Sequence, residues 1–271
     1  MAMDYGLLAD ISPNIRRYPY INLNQFKEIM NQEYARLQDD KDASEWVLFE
    51  IDKKTFTRDF LLNPDPDKLL KNSWSSFDAV ESLLLAMGMT KEHSLASVAF
   101  GQMLTDALAP MSLNHALQAY PGVEIEGDTR NKIPDNSWSP KRLPRSRSDK
   151  WPAVVLEVAV SESQPKLQSD IRFWLRESQG DVRIALALTV DRKRPHILIE
   201  KWETQDGRPH RTQKVTVYKG GNNCVYVSGL LTIEFEKLFL RAIDTPKEAD
   251  IHFSEDALKI LAETIWVPQR F

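Results

Sequence analysis

The sequence predicts a mixed α/β fold: a sheet flanked by helices, with a helical N-terminal prefix and a C-terminal helix. Three observations predict it. Residues 152–160 are almost continuous in Val, Leu and Ala, as in a strand covered on both faces. Directly after them, Leu167, Ile171, Trp174 and Leu175 recur at helical spacing. Residues 182–190 form a second buried run. Through the turn Asp191-Arg192-Lys193-Arg194-Pro195 it leads into residues 196–202, which reads as an antiparallel hairpin.

The other elements follow in chain order. Residues 1–75 are expected to be a helical extension, with Asn24 capping a helix that carries Phe26, Ile29, Met30, Tyr34 and Leu37. Residues 46–51 are a strand candidate within it. Asn63-Pro64-Asp65-Pro66-Asp67 is a turn and the best boundary before a domain spanning 76–271. Helices are predicted over 77–87 and 95–108, the second starting near Thr90. At Val123-Glu124-Ile125-Glu126 the period becomes alternating, as in a half-buried strand. Ile133-Pro134-Asp135 reads as a second short strand, with the proline at its start. Residues 215–218 and 230–235 add strands, and Ser254 caps a last helix through Trp266.

Composition narrows the function classes. The 271 residues hold 35 Lys plus Arg against 39 Asp plus Glu, a net charge of −4. That total argues against coating nucleic acid through bulk charge but allows a local basic patch. A single cysteine, Cys224, excludes an intrachain disulfide and any multi-cysteine metal site. No apolar run approaches the roughly 18 residues of a membrane span. The first residues lack a basic segment followed by an apolar one, so an intracellular protein is expected, nuclear or cytoplasmic. The five histidines, His93 among them, show no paired ligand spacing. Phosphate-loop, dinucleotide and nucleophile-elbow motifs are missing as well.

Glu157 is the informative residue. A carboxylate between Leu156 and Val158, inside a buried run, costs several kcal/mol unless it is paired. Alternation sets Glu157, Ala159 and Ser161 on one face of the strand. Pairing with an arginine would satisfy the carboxylate. A second acid, Asp135, lies on the strand expected beside it, about 4.8 Å away. Two converging carboxylates suit a cation such as Mg²⁺ or Mn²⁺.

Arg130-Asn131-Lys132-Ile133-Pro134-Asp135, then Pro152-Ala153-Val154-Val155-Leu156-Glu157-Val158 and Ser161-Glu162-Ser163, resemble the PD-(D/E)XK nuclease superfamily. Within it the sequence is most similar to the Uma2-like restriction-endonuclease family and its fungal relatives, over about residues 90–240. The resemblance implies a restriction-endonuclease-like fold and a Mg²⁺- or Mn²⁺-dependent nuclease, with Asp135 and Glu157 as metal ligands. Glu92, on the preceding helix, could be a third ligand, but a solvated first-turn glutamate stabilised by the helix dipole accounts for it better. The superfamily lysine position is Ala159 here. A basic group would then come from Lys166 or Arg172 on the next helix. Six positions set these about 120° apart, and only the lysine can carry a proton to and fro.

The loop from Lys141 to Lys150 holds Lys141, Arg142, Arg145, Arg147 and Lys150 against one acid, Asp149. It is expected to lie near the acids and to hold phosphates, each contact releasing a counterion. Two functions are therefore expected in competition. One is metal-dependent hydrolysis of nucleic acid, DNA first. The other is a catalytically inactive nuclease-like scaffold that binds nucleic acid or protein. A homodimer is compatible with either.

Overall fold

The computed structural model describes residues 15–62, 73–88, 90–127, 130–160 and 164–271. In chain order the first elements are β1 (Arg16–Pro19), α1 (Leu23–Asp39), β2 (Trp46–Glu50), α2 (Lys53–Phe56), β3 (Trp74–Asp78) and β4 (Leu83–Met87). Next come α3 (Lys91–Leu108), β5 (Leu117–Ala119), β6 (Ile125–Glu126), β7 (Arg130–Lys132), β8 (Asn136–Pro140), β9 (Val154–Val160), α4 (Gln164–Glu177) and β10 (Ile184–Val190). The remainder are β11 (His196–Gln205), β12 (Arg208–Lys219), β13 (Val225–Ser228), β14 (Thr232–Ile233), α5 (Phe235–Phe239), β15 (Ile251–His252) and α6 (Glu255–Gln269). Among the described residues no helix is long and apolar enough to cross a membrane.

The chain divides into two units: Met1–Thr90 with Gly122–Ile133, and Lys91–Pro121 with Pro134–Phe271. The first unit contains the expected helix, capped by Asn22 rather than Asn24: the Asn22 side chain accepts from the Gln25 N–H. It also holds a six-stranded sheet, ordered β1-β2-β4-β3-β7-β6, that a helical extension does not contain. Residues 77–87, expected to be helical, belong to the β3–β4 hairpin, which turns at Ser82 with φ 55°. Every residue of β4 is buried, and a run apolar all round can be a central strand as readily as a core helix. Phe26, Phe49, Phe56, Phe60 and Phe77 form the centre of this unit's core. The boundary proposed at residues 63–67 lies outside the described residues.

The second unit is the mixed sheet flanked by helices, ordered β13-β12-β11-β10-β9-β8-β5. β9 and β10 are parallel, which requires a crossover, and α4 supplies it. The hairpin β10–β11 is antiparallel as expected. Leu156, Val158 and Val160 on β9 join Leu186, Leu188 and residues of α3, α5 and α6 in one core cluster. By alternation Glu157 and Ala159 face the other side, toward α4. Residues 230–235 are not one strand. They give the two-residue β14, and then α5 begins at Phe235.

Candidate functional site

The strands expected to carry the two acids are neighbours, with Asn136 opposite Leu156 and Trp138 opposite Val154. The first strand is not Ile133-Pro134-Asp135, however. Ile133 belongs to the first unit and Asp135 lies in the bend before β8, whose sequence Asn-Ser-Trp-Ser-Pro carries no apolar run. From that bend Asp135 extends the ladder with its side chain. Oδ2 accepts from the Val158 N–H at 2.6 Å, and its own carbonyl accepts from the Ser97 hydroxyl at 3.2 Å. Oδ1 lies 2.9 Å from Nε2 of His93, a buried residue in the first turns of α3. With a proton on Nε2 the imidazole donates to the carboxylate.

Glu157 is held from the other face. It is 4% exposed, and Oε1 accepts from the indole N–H of Trp174, which α4 lays over the sheet. Trp174 is fully buried and meets Trp151 and Phe173 edge to face. Charge-assisted N–H bonds of this kind are what a buried carboxylate requires. Ala159 is 2% exposed and pairs with Thr189, whose hydroxyl accepts from the Gln164 side chain at 2.7 Å. The position two residues beyond Glu157 is thus covered by the start of α4.

Lys166, Asp170 and Trp174 recur every four residues along one ridge of α4. The Lys166 ammonium and the Asp170 carboxylate form a buried ion pair, with Nζ 2.6 Å from Oδ2. Arg172 is half-buried on the same helix. Glu92 is half-buried, about 100° round α3 from His93, and it is His93 that meets Asp135. Nothing in the sequence alone distinguished His93, because its partner comes from a bend far along the chain. Among the described residues no group of three or more His, Cys, Asp or Glu side chains is placed to hold a metal ion. The Ser161-Glu162-Ser163 turn lies outside the described residues.

A divalent ion implied by the resemblance has to draw on the oxygens of Asp135 and Glu157 together. Here Asp135 Oδ2 accepts from the Val158 N–H, Oδ1 lies 2.9 Å from His93 Nε2, and Oε1 of Glu157 accepts from the indole. Asp135 takes its donor from β9 itself, with His93 of α3 alongside, whereas Glu157 takes its donor from α4. This set suits carboxylates satisfied by protein N–H groups better than a shared ion.

The basic loop also differs from expectation in two respects. It leaves β8 at Pro140, five residues from Asp135, or about 17 Å along a strand. It is moored at that far end, because Arg147 is no phosphate hand. Its side chain is 6% exposed, pairs with the Asp181 carboxylate, and donates to the carbonyls of Trp151, Pro152 and Asp181. Burial lowers the guanidinium pKa, and Asp181 pushes it back up. Lys141, Arg142, Arg145 and Lys150 remain exposed.

No family profile matches the chain, and no curated protein does. Among solved structures it is similar to "a putative nuclease belonging to DUF820" from Anabaena variabilis. The match has a TM-score of 0.38 and 14% identity, and covers 57% of this chain and 82% of that one.

Proposed function

We propose that the second unit is a nuclease-like domain that binds nucleic acid, duplex DNA in the first instance, without metal-dependent hydrolysis. The observation that carries the reading is the state of the two acids: Glu157 is buried on an indole N–H, and Asp135 is held by a backbone N–H and His93. Ala159 supports it, since no ammonium stands two residues beyond Glu157. Binding is assigned to Lys141, Arg142, Arg145 and Lys150, four exposed cations on a loop that Arg147 anchors. Hydrolysis is the second reading. The register that brings Asp135 beside β9 favours it, as does the buried Lys166 on the helix that covers Glu157. In that reading Asp135 and Glu157, with Glu92, hold Mg²⁺ or Mn²⁺, and Lys166 or Arg172 supplies the basic group.

The test uses the full chain, a labelled duplex and a supercoiled plasmid. Duplex binding should weaken with salt. Changing Lys141, Arg142 and Arg145 to Gln should flatten the log–log slope by up to about 0.9 per lost contact. Plasmid nicking with Mg²⁺ or Mn²⁺ should match the chelator control. Nicking that needs the ion and disappears in Glu157→Gln would overturn the non-hydrolytic reading. An unchanged salt slope would remove the loop from the interface.

A further inference from the structure

The open face of the sheet's outer strands carries a feature that neither acid nor loop accounts for. His196 on β11 is in register with Tyr218 on β12, and Tyr218 with Tyr226 on β13. Residues in register across neighbouring strands share a face, so three aromatic side chains stand in one row about 4.8 Å apart strand to strand. Their chain neighbours Ile197 and Val217 point the other way, into the core, with Val225 and Val227 packed against it. Tyr218 and Tyr226 are 40% and 41% exposed, and their rings stack at 5.4 Å with 21° between the planes. The Asn222 amide donates to the Tyr226 hydroxyl at 2.9 Å. The turn below is built around that ring: a Cβ on Gly220 would come within 2.7 Å of Tyr226 Cε2. The platform is therefore positioned rather than merely left uncovered.

Two cations flank it, and the buried Glu200 opposite Lys214 is paired with Arg211. Lys214 is exposed on the same face of β12, four residues before Tyr218. Arg194 leads into His196 and is largely solvent-exposed, its guanidinium 2.7 Å from Asp191. The His196 pKa is lowered, first by burial and then by Arg194, with a smaller lowering from Lys214. Asp191 acts in the opposite direction and more weakly than Arg194.

We propose that His196, Tyr218 and Tyr226 are a stacking platform for the bases of single-stranded nucleic acid, with Lys214 and Arg194 meeting its phosphates. Exposed aromatic faces beside cations bind unpaired bases whatever their sequence, whereas a duplex keeps its base faces stacked within itself. The site goes beyond the duplex reading. It lies where β10 ends, whereas the basic loop is moored to Asp181, just before β10 begins, about 20 Å of strand away.

The experiment measures fluorescence anisotropy of a dye-labelled oligothymidine, and separately of a duplex, with the full chain. Tyr218→Ala and Tyr226→Ala should each weaken oligothymidine binding by roughly 5- to 150-fold. Tyr226→Phe should retain it, and Gly220→Ala should weaken it by displacing the ring. Lys214→Gln, at an exposed position, should flatten the salt slope by about 0.7. Duplex binding should persist in all five and fall only when the 141–145 cations are neutralised, so the two assignments fail separately. Oligothymidine affinity unchanged in the folded tyrosine variants and in Lys214→Gln would overturn the platform, leaving the tyrosines a cross-strand pair that stabilises a hairpin. Failure of the unaltered chain to bind oligothymidine would overturn it as well.

Discussion

Replacing Trp174 by Phe tests whether Glu157 is held by the protein itself. The change removes the only atom through which the ring bonds Oε1 and leaves a buried acceptor without that donor, at about 1–3 kcal/mol. Trp174 is fully buried, so the smaller ring also leaves a void worth about 1 kcal/mol. The expected loss is about 2–4 kcal/mol. Glu157→Gln keeps the shape and an Oε1 that can accept from the indole. It removes the buried charge and replaces Oε2 with an amide N–H₂, leaving the indole its acceptor. It should therefore cost less than Trp174→Phe. Because the two residues touch, the double variant should show a coupling of about 0.5–3 kcal/mol. Urea unfolding followed by far-UV circular dichroism, without divalent ions, gives all four stabilities. Trp174→Phe within about 0.5 kcal/mol of the parent would refute the reasoning, as would two losses that simply add.

Arg147→Ala should cost about 3–5 kcal/mol, the price of leaving Asp181 and three carbonyls without their partner, whereas Arg145→Ala should stay within about 0.5 kcal/mol; thermal unfolding of the two variants separates anchor from surface. Gly229→Ala should destabilise strongly, because φ is 100° there and a Cβ would sit 2.2 Å from the Lys214 carbonyl oxygen; expression and Tm are the readouts. The Glu248 carboxyl, bonded bidentately by Arg241, has its pKa lowered from 4.5 to about 2. A depressed folded-state value stabilises the fold above the unfolded pKa and loses that contribution as pH falls through the folded one. The Tm gap between the parent and Arg241→Gln should therefore be full at neutral pH and shrink between about pH 4.5 and about pH 2.

What was legible in the sequence is what local pattern encodes. The β9–α4–β10 crossover and the following hairpin stood out because their buried runs and helical spacing are unambiguous at that length. Residues 77–87 were not legible as strands, because an apolar run buried on every side has no distinguishing period and its pairing partners lie elsewhere in the chain. β8 escaped notice because Asn136, Ser137 and Ser139 are polar yet buried. Ile133 and Asp135 look continuous in sequence but fall in different units. Within the site, Asp135 and Glu157 were visible as acids in unlikely places, but their donors were not. His93 and Trp174 each resemble ordinary core residues until the fold brings them to a carboxylate. Arg147 could not be told from Arg142 or Arg145 by composition, since only Asp181, at the far end of the crossover, sets it apart.

The face of the sheet under α4 gives Ala159 and Glu157 a common physical reason. In register across β9, β10 and β11 stand Glu157, Ala187 and Glu200, with Ala185 one step along the same face as Ala187. Small residues between two buried acids let a helix approach closely, and Trp174 fills the space they leave. Each acid then needs its own donor: Glu157 takes the indole, and Glu200 takes the Arg211 guanidinium from the neighbouring strand. A lysine at position 159 would have to push its four-carbon stem into the cover provided by Gln164 and Thr189. The alanine at 159 and the satisfied glutamate are thus two consequences of one close helix–sheet contact. A shared ion would have to compete with the Trp174 bond at Glu157 and with the Val158 bond at Asp135.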